Sequence, residues 1–223
     1  MTQNAQTYRQ NKRWVRLKVD PADLRPLMKR EDARPFRDMF IWLALMGGFA
    51  CLTCLLWGSW YAVIPLYVYS VLYSTGSQSR EHETGHGTAF KTKALNKFFF
   101  ELTSFMVLRE SFLRTKSHDT HHLHTIITAR DPEIVTPVPP DYRALLINLF
   151  MVDRCTRGLK DTTIHALNLL TKKDRQSGRT ALPVGAARKA RLWIFILAGT
   201  VASSLYLSSW LPVVLMGHLQ SKF

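Results

Sequence analysis

Apolar and polar positions fall into long blocks along this chain. Met39 to Tyr73 contains no Lys, Arg, Asp or Glu. That block is nearly twice the roughly 20 residues a helix needs to cross a bilayer. It divides best at Gly58-Ser59-Trp60, a small-residue turn with a Trp suited to a membrane interface. Phe40 to Trp57 then forms one span and Tyr61 to about Thr75 the return, a helical hairpin in which Pro65 is a candidate kink. A second apolar block, Leu192 to Gly217, is either one span or a second hairpin turning at Ser208-Ser209-Trp210-Leu211-Pro212. Between the blocks, Lys97 to Arg109 and Tyr142 to Val152 are strongly apolar but too short to span. They read as helices in the interface or packed beneath it.

The expected fold is therefore all-α: an integral membrane helical protein with one or two transmembrane hairpins and a cytoplasmic or interfacial helical region. Its expected parts are a basic N-terminal segment (1–38), a hairpin (39–75), a polar region with interfacial helices (76–191) and a further membrane segment (192–223). Pro21, Pro26 and Pro35 argue against a single continuous helix in the leader. No apolar core lies near Met1, which excludes a cleaved secretory signal.

Charge sharpens this picture. The net charge is +14 in a chain that is 47% hydrophobic. Such a balance fits nucleic acid or an anionic membrane surface. The uncharged block decides for the membrane and against nucleic acid. Of 30 Lys and Arg, 10 lie in residues 1–38 and 19 in 74–191. The positive-inside rule places the leader in the cytoplasm, and a hairpin returns the polar region to the same side; the expected location is a bacterial inner membrane. Cys51 and Cys54 have C-x-x-C spacing but sit within the apolar block, so packing is their expected role. With Cys155 they form no disulfide framework.

Candidate chemistry lies in the histidines. Six of eight fall between positions 82 and 124. His82 and His86 are four apart; His118, His121 and His122 are separated by three and four. Either spacing puts imidazoles on one helical face. Imidazole suits iron, zinc, copper or nickel, so ligand type alone does not name the metal. A catalytic zinc takes about three protein ligands, so five imidazoles suit a two-metal centre better. The competing reading is a set of solvated interfacial histidines. Glu81, Glu83, Asp119, Asp131 and Glu133 are placed to accept from imidazole N–H groups rather than to ligate. His124 reads as a solvated neighbour, His165 as an ordinary interfacial histidine, and His218 as a terminal one.

These residues resemble the membrane fatty acid desaturase family. HETGHGTAF followed by Leu95-Asn96 is similar to the family's HxxxH box, HDTHH is similar to its HxxHH box, and Arg130-Asp131-Pro132-Glu133-Ile134 resembles a stretch that follows it in bacterial members. The resemblance covers roughly Met39 to Phe223. It implies two irons (Fe2+) held by His82, His86, His118, His121 and His122. It also implies dioxygen-dependent oxidation of an acyl chain drawn from membrane lipid, and an external electron donor of ferredoxin, rubredoxin or cytochrome b5 type. The family's third box, also HxxHH, has no counterpart here. The sequence thus reads as an N-terminal portion with an incomplete site. Hydroxylases and ketolases acting on lipids, alkanes or carotenoids share the histidine-box plan. A catalytically silent metal- or lipid-binding membrane protein is the alternative from another class.

Overall fold

The computed structural model describes residues 19–125, 127, 131–133, 141–143, 152–176 and 179–216. All regular structure among them is helical. The chain divides into two compact units, residues 1–30 and 31–223. The first contains a short helix, α1 (Pro21–Leu27), capped by Asp20, whose carboxylate accepts from the Ala22 N–H at 2.8 Å. Residues 1–18 of the basic leader lie outside the described residues.

In the second unit, α2 (Ala33–Leu56) and α3 (Val63–Gly85) form an antiparallel pair. Of the described helices, only α2 is long and apolar enough to cross a membrane. The reversal falls at Gly58, whose φ of +90° is open to glycine and strained for other residues. A 3-10 turn, Trp60–Ala62, leads into α3. Pro65 occupies the first turn of α3, where a missing N–H costs nothing. α3 does not stop with the apolar block near Thr75; it continues to Gly85 and carries Glu81 and His82. Ser70, Thr75 and Thr84 return their hydroxyls to the carbonyls four residues back, which satisfies these polar groups without breaking the helix.

One close approach sets the α2–α3 distance. Trp42 donates its indole N–H to the Leu72 carbonyl at 2.8 Å. A Cβ on Gly76 would lie 2.2 Å from that indole nitrogen, so only glycine admits the ring there. Arg80 lies over the same ring, 4.5 Å from its centroid. Below this contact α4 (Lys93–Met106) packs on α3. Met39, Trp42, Tyr69, Tyr73, Phe90, Phe99 and Met106 form the shared core. Phe90 and Phe99 stack at 5.2 Å, and Tyr73 donates to the Met106 carbonyl at 3.1 Å. Asn96 accepts from the Phe90 N–H at 3.0 Å and donates to its carbonyl at 2.8 Å, pinning the loop between the first histidine pair and α4.

α5 (Ser111–His124) follows a tight turn at Leu108. α6 (Val152–Ala166) packs on α8 (Ala186–Tyr206), with the short α7 (Lys172–Gln176) between them in sequence. The second apolar block is broken: α8 ends at Tyr206, Ser208 takes a positive φ, and α9 (Leu211–Leu215) begins a new direction. The Leu215 carbonyl accepts from Tyr69 of α3. Cys51 and Cys54 are exposed on α2 rather than packed against protein, which corrects the expectation from sequence. Most of the apolar stretch 142–152 falls outside the described residues.

Candidate metal centre

The first pair of histidines rides the end of α3. His82 is on its last turn and His86 is its C-cap, so the spacing of four brings their rings edge to face, with centroids 4.7 Å apart. Their Nε2 atoms are 3.1 Å apart. The second group lies on the last two turns of α5, where His118 and His122 also bring Nε2 atoms to 3.1 Å. The helices face each other: His86 Nε2 lies 3.0 Å from that of His118 and 3.3 Å from that of His122. One ligand atom from each of the four lies within 4.8 Å of all the others.

This arrangement could hold a metal ion. The Nε2 atoms of His86, His118 and His122 form a triangle with sides of 3.0–3.3 Å. Each Nε2 of a neutral ring is either a donor or a lone pair, so at least one side of that triangle sets two like groups together. Solvated histidines would turn apart. Metal–nitrogen bonds of about 2.0–2.1 Å set nitrogens around one ion about 3.0–3.4 Å from each other. The four separations of 3.0–3.3 Å that link His82 to His86 and His86, His118 and His122 to one another fall in that range.

The fifth predicted histidine stands beside this group. His121 has its ring centroid 5.7 Å from that of His118 and 5.6 Å from that of His122. Its Nδ1 is 2.9 Å from both Asp131 oxygens. The carboxylate thus accepts from the Nδ1–H, which keeps the proton on Nδ1 and the lone pair on Nε2. His118 is held likewise, its Nδ1 3.1 Å from Glu133 Oε1. Burial lowers the pKa of His118, which favours the neutral ring a metal requires. Burial would raise Glu133; the hydrogen bond from His118 and the charge of Arg114 outweigh it and hold the carboxyl below its ordinary range.

Of the five acids expected to orient imidazoles, Asp131 and Glu133 do so. Glu81 is buried but pairs with Arg114, while Glu83 and Asp119 are exposed. Asp131 also accepts from the Glu133 N–H at 2.9 Å, so the Asp-Pro-Glu segment is a turn that presents two carboxylates to two histidines. Sequence reading missed Arg114. It lies one turn before His118, is buried, and reaches Glu81 at 3.2 Å and Glu133 more closely still. Its position four residues before His118 was the available signal. It joins the two histidine helices through the residue preceding His82. A small cleft beside the cluster is lined by His82, His86, Phe100 and His118.

The remaining histidines stand apart from the cluster. His124 bonds back to the Thr120 carbonyl at 3.2 Å, and His218 lies outside the described residues. His165 was expected at an interface; instead it is fully buried. Glu110 and Asp174 flank its two ring nitrogens, and their carboxylates replace water as its partners.

Neither a curated protein nor a solved structure matches the chain. Residues 58–221, which include both histidine groups and every helix that holds them, match the fatty acid desaturase family model, and the chain belongs to that family.

Proposed function

We propose that this chain is a membrane-bound, dioxygen-dependent oxidoreductase of desaturase type, acting on a lipid acyl chain. His82, His86, His118 and His122 would hold one iron, and His121 would contribute to a second. The observation that carries the reading is the convergence of four imidazole nitrogens from two helices. When bound, the irons would supply the oxidising power needed to remove hydrogen from an unactivated chain, with electrons from a ferredoxin, rubredoxin or cytochrome b5 type carrier.

The protein's own residues prepare that chemistry. Glu133 and Asp131 fix the tautomers of His118 and His121. Arg114, held between Glu81 and Glu133, keeps α3 and α5 in register. Phe100 lines the small cleft beside His82, His86 and His118. The membrane assignment rests on the family, on α2 and on exposed apolar side chains. These include Phe40, Leu55, Ile64, Tyr67 and Phe195, with Trp57 and Trp60 at the turn. In this reading 1–38 is cytoplasmic, 39–75 is the hairpin, 76–191 is the cytoplasmic histidine region and 192–223 returns to the membrane.

Four imidazoles suffice for one ion, whereas His121 alone does not hold a second. Purified protein is therefore expected to retain about one iron per chain, lost on His86→Ala substitution. Equal iron in the two proteins would sink the proposed centre. Residues 1–223 contain one HxxHH, at His118–His122, and no second; acyl product is expected only when a segment carrying the family's third box is supplied. Mass analysis then separates desaturation, a loss of two hydrogens, from hydroxylation, a gain of one oxygen. Orientation is tested by Glu83→Cys in a background free of Cys51, Cys54 and Cys155. Labelling by an impermeant reagent from outside intact cells would overturn the cytoplasmic placement.

A further inference from the structure

The buried cluster around His165 lies away from the proposed ligands but reaches the helix that carries two of them. His165 projects from α6 and is fully buried. Its Nδ1 meets the Glu110 carboxylate, and its Nε2 lies 2.8 Å from Asp174 Oδ2. Both acids are buried. A neutral imidazole has one N–H and would set its remaining lone pair against one of these carboxylates. Two carboxylates on opposite ring nitrogens therefore call for the doubly protonated ring.

The surroundings complete a charge-balanced set. Arg179 lies 3.3 Å from Asp174 Oδ1. The imidazolium and Arg179 supply two positive charges, and Glu110 and Asp174 two negative ones. Asp174 is fixed in turn by Thr171: the Asp174 N–H donates to the Thr171 hydroxyl at 3.1 Å, and the Thr171 N–H donates to Asp174 Oδ2 at 3.0 Å. That reciprocal pattern is a capping box at the start of α7. Phe112 of α5 sits between the groups, with the His165 ring 5.5 Å and the Arg179 guanidinium 4.8 Å from its centroid.

Glu110 is the point of leverage. It is the N-cap residue of α5, and its carbonyl accepts from the Leu113 and Arg114 N–H groups at 3.0 Å each. The adjoining Ser111 donates to Glu101 of α4 at 2.9 Å, and Lys189 of α8 donates to the same carboxylate at 2.6 Å. The root of α5 is thus gripped from α4, α8 and, through His165, α6 and α7. Its other end carries His118 and His122.

We propose that His165 is a positioning residue for the histidine centre. As an imidazolium bridging Glu110 and Asp174 it clamps the N-terminus of α5, and so fixes the angle at which His118 and His122 meet His82 and His86. The metal-binding half of this statement rests on the proposed function; the clamp on α5 does not.

The test is a charge cycle on the whole chain in detergent, read by amide hydrogen exchange without metal and by Co(II) titration. His165→Gln leaves one negative charge uncompensated, and Glu110→Gln one positive. The double variant His165→Gln/Glu110→Gln restores neutrality, because Asp174 still faces Arg179. Each single change is expected to speed exchange at Leu113–His122 by about tenfold or more, since one buried charge has lost its partner. Co(II) affinity is expected to fall about tenfold in the single variants, as for other groups that orient ligands. The double variant should recover most of both, with α2 exchanging at the wild-type rate throughout. A double variant as loose as the singles would show that the imidazole only fills space and would overturn the proposal. So would wild-type exchange in His165→Gln. If a single variant fails to fold while the double folds, the charge argument stands; failure of both overturns it. Absence of Co(II) binding by the wild type would remove the proposed centre, while the exchange cycle would still decide the clamp.

Discussion

Two groups of histidines in this chain sit in opposite electrostatic settings. At the ends of α3 and α5, four imidazoles turn Nε2 atoms toward one another at 3.0–3.3 Å. The acid that helps them, Glu133, stands behind the His118 ring, on Nδ1. At the root of α5, His165 faces a carboxylate on each nitrogen. In the first setting the nitrogens are placed to share a cation; in the second the histidine is the cation. The same side chain acts as ligand or as counter-ion according to where the carboxylates stand.

Removing a ligand should give the largest separation between the two. His118→Ala is expected to weaken Co(II) binding by at least about 100-fold, beyond the effect of any orienting residue. The unfolding midpoint should move little, and an unchanged Co(II) titration would break the contrast. Arg114 comes next, because it belongs to neither group yet touches the first. Arg114→Ala removes the shorter ion pair of buried Glu81, leaving Arg109 at 3.7 Å, and one of the partners of Glu133; it is expected to cost about 3 kcal/mol in unfolding measurements. A change within scatter would mean that the ion pairs do not join α3 to α5.

Glu133→Ala frees the His118 tautomer without removing a ligand. Co(II) affinity should fall about tenfold, with the fold retained. An effect as large as that of His118→Ala would make Glu133 itself a ligand.

The smallest effect is a pH dependence with opposite signs in the two settings. Burial would lower the pKa of His165, but the hydrogen bonds from Glu110 and Asp174 outweigh it and raise it above 6.5. A raised folded pKa means that the stabilisation is fully present below about 6.5 and is lost as pH rises through the folded value. His118 is shifted below 6.5, so its neutral form is favoured above that value and lost as pH falls through its folded pKa. Protection of α5 should therefore weaken toward alkaline pH, and Co(II) binding toward acid. Hydrogen exchange corrected for its intrinsic pH dependence, with Co(II) titrations at the same pH values, checks both. Flat α5 protection from pH 6 to 9 would remove the imidazolium from the account.

Much of the architecture was legible because it depends on local pattern. The uncharged run from Met39 to Tyr73 forced long apolar helices, and Gly58 marked their reversal. Spacings of three and four fixed which histidines share a face, because a helix turns every 3.6 residues. The acids at Asp131 and Glu133 were recognisable as partners for imidazole N–H groups, because they closely follow the second histidine group. α3 ran past its expected end because the polar residues after Thr75 keep a helical ladder and bury Glu81 against Arg114.

By itself, then, the sequence determined helix class, histidine faces and the kind of ligand offered. Only the tertiary structure decided that four imidazoles meet while His121 stands beside them. That distance is set by how closely helices approach, through contacts such as Trp42 against Gly76 and Arg114 between two acids. It also decided the state of His165, whose partners lie 55 and 9 residues away along the chain. A histidine's charge follows from the groups that replace its water. Local pattern does not specify those groups, because they come from separate helices brought together by packing.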